Sequence, residues 1–150
     1  MTPVLIDGVT LHPEKQIFHP QGDVFHAIKS NSPGFVCFGE AYFSSTLFGE
    51  TKGWKKHLRM TLNLLVPIGS VRFVCYDDRS DSPTFGVFSD VTIGVGNYQR
   101  LTVEPGIWVA FQGVGNENNL LLNVADMIHD PDEVERCELN EIIYAWNSGT

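Results

Sequence analysis

Apolar positions in this chain fall in short runs or alternate with polar ones, and no long stretch keeps a helical period of 3.6. Period-two alternation and β-branched or aromatic runs predict strands at Gln16–Phe18, Val24–Ile28, Gly34–Phe38, Glu40–Thr46, Thr51–Leu58, Leu62–Val66, Ser70–Tyr76, Phe85–Ile93, Arg100–Val103, Ile107–Gln112 and Leu120–Ala125. Gly and Pro turn signals separate them: Asn31-Ser32-Pro33-Gly34, Pro67-Ile68-Gly69, Asp81-Ser82-Pro83, Gly94-Val95-Gly96-Asn97, Glu104-Pro105-Gly106 and 113–119. Many short strands at such intervals predict an all-β antiparallel sandwich or barrel. In Ser70–Tyr76 the alternation sends Val71, Phe73 and Cys75 one way and Arg72, Val74 and Tyr76 the other. Asp130-Pro131-Asp132-Glu133 predicts one short helical turn, with Asp130 as N-cap and Pro131 at the first helical position.

Composition narrows the function classes. With 150 residues, 43% hydrophobic and 19% charged, the chain is expected to form one folded domain over residues 1–150, with a core of its own. The net charge of −8 argues against binding nucleic acid or an anionic membrane. A small anionic ligand needs only a local basic pocket. Cys37, Cys75 and Cys137 are odd in number and lack close pairing, so neither a disulfide framework nor a zinc site is expected. Cys37 and Cys75 lie in apolar runs and read as small buried hydrophobes, and Phe35, Phe38, Tyr42, Phe43 and Phe48 as core. The N-terminal segment has no basic, long apolar leader and no stretch suits a membrane span, so the cytoplasm is the expected location.

One segment departs from this background. Lys52, Lys55, Lys56 and Arg59 are four of only ten Lys and Arg residues, and they fall within eight positions. Alternation through Trp54–Asn63 puts Lys55, His57, Arg59, Thr61 and Asn63 on one face. That face either lines a cavity suited to an anion or is simply solvated. The spacing around it resembles the first motif of the cupin barrels, with Gly49 and Gly69 in place. There the metal-binding His-any-His and Glu become Lys55, His57 and Leu62. Pro105-Gly106 keeps the turn of the second cupin motif, while Val109 stands where its histidine belongs. One imidazole and no carboxylate make a poor first shell, so no metal or other cofactor is expected. His12, His19, His26 and His129 are scattered and read as surface or structural residues, and Asp77-Asp78-Arg79 reads as a structural turn.

Arg72–Gly86, with its Ser82-Pro83-Thr84-Phe85-Gly86, is similar to the Val-Asp-x-Arg-x-x-Ser-Pro-Thr-Phe-Gly segment of the dTDP-4-dehydrorhamnose 3,5-epimerase family, which the chain resembles from about Gly22 to Trp146. Gly22-Asp23-Val24-Phe25 resembles its Arg-Gly-x-Phe, Lys52-Gly53-Trp54-Lys55 its Arg-Gly-Leu-His, and Glu104-Pro105-Gly106 its Pro-Pro-Gly. Asp130-Pro131-Asp132-Glu133 resembles its Ser-Pro-Glu turn. The resemblance implies a metal-independent cupin-type antiparallel jelly roll, usually a homodimer, acting on a nucleotide-linked 4-keto-6-deoxy sugar in polysaccharide or deoxysugar biosynthesis. It also implies departures. The catalytic His falls on Lys55, the catalytic Tyr on or beside Leu122, the second-motif His on Val109, and the phosphate-contacting Arg on Gln21. The C-terminal extension whose Asp supports the family's His is expected to be missing, since the chain ends soon after Trp146.

Epimerisation beside a ketone needs a base, an acid on the other face and a stabiliser for the enolate. The expected base is His57, with Lys55 as electrostatic partner, or as a base itself if burial and neighbouring cations lower its pKa. Tyr42 or Tyr76 would supply the acid, Lys52 and Arg59 would contact the diphosphate, Asn63 would bind the sugar, and Tyr76 and Gln21 are expected among the substrate-binding residues. Two other readings stand beside the epimerase or ketoisomerase: a non-catalytic nucleotide-sugar-binding cupin that has lost the catalytic pair, and, more remotely, a metal-dependent cupin dioxygenase.

Overall fold

A computed structural model describes residues 3–147; Met1 and Thr2, the start of the segment read above for a leader, lie outside them. Among the described residues twelve strands follow in chain order: β1 (Val9–Pro13), β2 (Gln16–Ile17), β3 (Val24–Phe25), β4 (Glu40–Leu47), β5 (Thr51–His57), β6 (Leu62–Ile68), β7 (Ser70–Tyr76), β8 (Phe88–Gly94), β9 (Gln99–Val103), β10 (Trp108–Gly113), β11 (Asn118–Ala125) and β12 (Val134–Arg136). One 3-10 turn, Pro131–Glu133, precedes β12, capped as expected by Asp130, whose carboxylate accepts from the Asp132 N–H at 3.0 Å.

Two five-stranded antiparallel sheets face each other, in the orders β1-β9-β6-β11-β4 and β12-β5-β10-β7-β8. From β4 onward the chain crosses between the sheets at every step except β7 to β8, which makes the jelly roll. Inward-facing residues of both sheets, among them Val71, Phe73, Cys75, Leu64, Leu101 and Ile93, form the main core. The other face of β7 is covered as well. Val74 and Tyr76 join Trp54, Trp108 and Phe88 in a second apolar layer closed by Tyr144 and Trp146 from the C-terminal segment. Arg72 anchors that cover by pairing with Asp90 at 2.6 Å and donating to the Trp146 carbonyl at 2.6 Å.

The Ser-Pro-Thr-Phe-Gly segment is a structural pin. Its centre is the buried Asp77, which accepts from the Arg79 side chain at 2.8 Å and from the Ser82 and Thr84 hydroxyls at 2.6 Å each. Arg79 and Thr84 then hold the backbone of Asp7, fastening the N-terminal segment to the barrel. Burial pushes the Asp77 carboxyl up, but these donors outweigh it and hold it well below the ordinary carboxylate range.

Several expectations need correction. Gly34–Phe38 forms no strand, so Cys37 is exposed and donates to the Asp126 carbonyl, whereas Cys75 is buried and its thiol is pushed up to about 12 by burial. Phe38, Tyr42, Phe43 and Phe48 are exposed rather than core: Phe38 lies in the connection before β4, and Tyr42, Phe43 and Phe48 lie on or beside β4, the last strand of its sheet, with no outer neighbour among the described residues. The strand Val9–Pro13 was not anticipated. Its alternation is only five residues long, and it is held by pairing with β9.

Candidate functional site

Between the two sheets lies a cavity of about 250 Å³. One wall carries Lys52, Lys55 and His57 of β5, with Phe73, Val109 and Phe111. The opposite wall carries Tyr42 and Ser44 of β4, with Leu62, Leu64, Leu121 and Asn123. Polar groups therefore enter from both sheets into a lining that is otherwise apolar.

The three basic groups share the cavity because β5 is irregular. Lys55 pairs with Val109 of β10 but Lys52 pairs with Phe111, so Gly53 and Trp54 together face the single residue Ala110. Residues three apart on a regular strand point to opposite faces. The bulge cancels that, bringing Lys52 and Lys55 to the same side while Trp54 is buried in the outer apolar layer. Only glycine suits position 53: its φ is +156°, and a Cβ there would collide with Ala110. The Lys52 ammonium donates to the Ser45 carbonyl at 2.7 Å, tying β5 to β4. Burial pulls the Lys55 ammonium below its ordinary pKa, and the nearby charges of Arg136 and Lys52 pull the same way.

His57 is held by a residue not anticipated from sequence. Its Nδ1 lies 2.5 Å from Oε1 of Glu133, whose side chain is fully buried. The other carboxylate oxygen accepts from the backbone N–H groups of Arg59 and Met60, each at 3.2 Å. Burial pushes the Glu133 carboxyl up, but the His57 ring and the two N–H groups outweigh it, so its pKa lies below the ordinary value. An ionised Glu133 fixes the hydrogen on Nδ1 and leaves Nε2 as the basic nitrogen. The pair joins residues 76 positions apart in sequence. Its only sequence signal was the capped turn at Asp130, which places Glu133 under β5.

Of the residues expected at the site, His57, Lys55, Lys52 and Tyr42 line the cavity. The others do not. The chain bends at 58–61 between β5 and β6, which resets the alternation. Arg59 consequently faces outward and pairs with Asp130 at 2.9 Å. Asn63 lies on the outer face of β6, where it accepts from Arg100 at 2.5 Å and from Thr102 at 2.7 Å. Tyr76 packs against Phe88 in the outer layer, and Gln21 is exposed in the β2–β3 connection. Lys56, the fourth cation, turns away to Asp78 and Glu135 at 3.4 and 3.3 Å. On the far wall it is Asn123, beside Leu122, that enters the cavity, and its amide donates to the Tyr42 hydroxyl at 3.1 Å. Among the described residues no three His, Cys, Asp or Glu side chains gather into a metal-ion set, and Leu62 and Val109 line opposite walls of the cavity.

The fold has a close counterpart among solved structures. The crystal structure of a dTDP sugar isomerase from Desulfovibrio desulfuricans G20 superposes with a TM-score of 0.91 at 36% identity, over 97% of this chain and 94% of that one. The chain belongs to the dTDP-sugar isomerase and epimerase family. This family has the cupin jelly roll of the dTDP-4-dehydrorhamnose 3,5-epimerases, and the likeness noted in the sequence is thereby accounted for. The probable low-salt glycan biosynthesis epimerase Agl13 of Haloferax volcanii is 35% identical over 97 residues, a match that spans 62% of either protein. NovW, a 4-keto-6-deoxy sugar epimerase from the novobiocin gene cluster of Streptomyces spheroides, shares the fold with a TM-score of 0.84 at 20% identity. No protein-family model matches the chain.

Proposed function

We propose that this protein is a metal-independent epimerase or ketoisomerase of a dTDP-linked 4-keto-6-deoxy sugar, serving polysaccharide or deoxysugar biosynthesis. The observation that carries the reading is the His57–Glu133 pair on one wall of the cavity between the sheets, with the Tyr42 phenol on the other. The hydrogen on a carbon beside a ketone is acidic because the resulting charge moves onto the oxygen. His57 Nε2 takes that proton, and buried Glu133 stabilises the imidazolium that forms. Lys55 faces the same space and stabilises the enolate oxygen, with Lys52 adding positive charge for the diphosphate. Tyr42 returns a proton from the opposite sheet, which inverts the carbon. The relatives named above support the substrate class.

The base occupies a different position from the family's histidine, which falls on Lys55. Two residues further along the same strand face, His57 acquires its carboxylate from the 130–133 turn. Incubation with a dTDP-4-keto-6-deoxy sugar in deuterated water tests the reading: deuterium is expected beside the ketone. Ligand binding without any exchange would instead favour the non-catalytic sugar-binding reading.

We also propose that the chain acts as one domain over residues 1–150, as a homodimer in the cytoplasm. The unpaired edge strand β4 exposes Phe43 and Leu47, each at 64%, beside Phe48, an apolar strip suited to a second copy. The three free cysteines suit a reducing compartment, and among the described residues no helix is long and apolar enough to cross a membrane. Phe43→Lys with Leu47→Lys is expected to shift the sedimenting species from dimer to monomer. An unchanged dimer would place the interface elsewhere.

A further inference from the structure

Asn123 is 1% exposed on β11, directly opposite Tyr42 of β4 in the register of the two strands. Its two side-chain atoms are in different situations. Nδ2 donates to the Tyr42 hydroxyl oxygen at 3.1 Å, while Oδ1 is buried in the cavity wall with no protein partner. Each half has a chemical consequence. Because Tyr42 accepts from the amide, its own hydrogen is not spent on Asn123 and rotates toward the cavity. A buried amide oxygen without a donor is rare in folded proteins and marks a place where a donor is missing. The Ser44 hydroxyl and the β5 cations lie on the same cavity, yet neither reaches it.

We infer that Asn123 is a positioning and specificity residue: its amide turns the Tyr42 hydrogen toward the substrate, and its carbonyl accepts a hydroxyl of the sugar next to the ketone. The inference rests on the epimerase reading given above. In the reaction, the C–H bond beside the ketone breaks, its electron pair moves into the enolate, and the proton goes to His57. The enolate pair then forms a new C–H bond with the Tyr42 hydrogen on the other face. Solvent reprotonates the phenolate and takes the proton from the imidazolium, and nothing is oxidised or reduced. Asn123 touches neither transferred proton. It decides where the second one points.

The test separates the two proton transfers by following deuterium exchange and inverted product together, with a dTDP-4-keto-6-deoxy sugar in deuterated water. In Asn123→Asp, the carboxylate captures the Tyr42 hydrogen. In Asn123→Ala, the orienting donor is gone without added charge. Both variants are expected to keep exchange while the ratio of inverted product to exchange falls about 10- to 100-fold. Tyr42→Phe combined with either is expected to be no worse than Tyr42→Phe alone. With the wild-type protein, the analogue lacking the hydroxyl beside the ketone is expected to show a KM raised about tenfold or more. A wild-type product ratio in a folded Asn123→Ala, or equal KM for sugar and analogue, would overturn the inference. If the wild-type protein catalyses no exchange at all, the epimerase reading fails and takes the inference with it.

Discussion

Replacing Glu133 by Gln changes almost nothing in shape and inverts the chemistry of His57. The carboxylate receives three donors: the His57 ring at 2.5 Å and the N–H groups of Arg59 and Met60 at 3.2 Å each. A glutamine keeps its carbonyl oxygen on the two backbone donors, which have no alternative partner there. Its NH2 then faces Nδ1. That contact is favourable only if Nδ1 carries the lone pair, which moves the hydrogen to Nε2 and removes the basic nitrogen from the cavity. A positioned general base contributes about 10²–10⁴ in rate, or about 3–5 kcal/mol of barrier. Stability loses much less, because one charge-assisted hydrogen bond becomes a neutral one, at about 1 kcal/mol and a few degrees of melting temperature. Initial rates of deuterium exchange at saturating sugar, with thermal melts by circular dichroism, measure both. A rate drop of about 10² or more with a melt only a few degrees lower is expected. A Glu133→Gln rate within about threefold of wild type would refute a base poised by Glu133. A collapsed melt with normal turnover per folded molecule would make Glu133 a purely structural residue.

Other consequences concern the cations, the bulge and the pin. Because the Lys55 pKa is lowered, its positive charge is lost as pH rises at a lower pH than for an ordinary lysine. The rate of deuterium exchange into the dTDP-4-keto-6-deoxy sugar should therefore fall on the alkaline side in the wild-type protein, and this limb should vanish in Lys55→Met. Gly53→Ala forces a Cβ against Ala110 and should undo the bulge that brings Lys52 and Lys55 together. We expect dTDP affinity to fall about tenfold or more, with destabilisation of about 1–3 kcal/mol in denaturant melts. Asp77→Ala strands the Arg79 charge and two hydroxyls, costing about 3–5 kcal/mol of folding stability. The sign of the wild-type pH dependence follows from the depressed Asp77 pKa. Its contribution is complete above the ordinary carboxylate range and is lost as pH falls through the lowered folded value, so Asp77→Ala should flatten the acid limb of stability against pH.

Local pattern revealed much of this fold and some of its site. The alternation in Ser70–Tyr76 put Val71, Phe73 and Cys75 on one face, and that face lies in the core. Strand phase within β5 likewise put Lys55 and His57 on one face. The same phase failed at Arg59 and Asn63, because a bend between sheets resets alternation and carries no sequence mark stronger than Met60-Thr61. Lys52 joins the cavity only through a bulge, which is visible once β10 is laid beside β5. Glu133 was hidden for a related reason: an ion pair spanning the chain depends on tertiary register, and the Ser-Pro-Glu likeness indicated only a turn. The aromatic residues of β4 were assigned to the core by hydrophobicity alone, which cannot distinguish a core strand from an exposed edge strand.

Deuterium exchange into a dTDP-4-keto-6-deoxy sugar by the wild-type protein and by His57→Gln, side by side with matched dTDP affinity, tests the assignment of the base most directly. Deuterium entering beside the ketone with the wild-type protein, and not with His57→Gln, is the expected result. Exchange at full rate in His57→Gln would contradict a base at His57, and no exchange with either protein would contradict the epimerase itself.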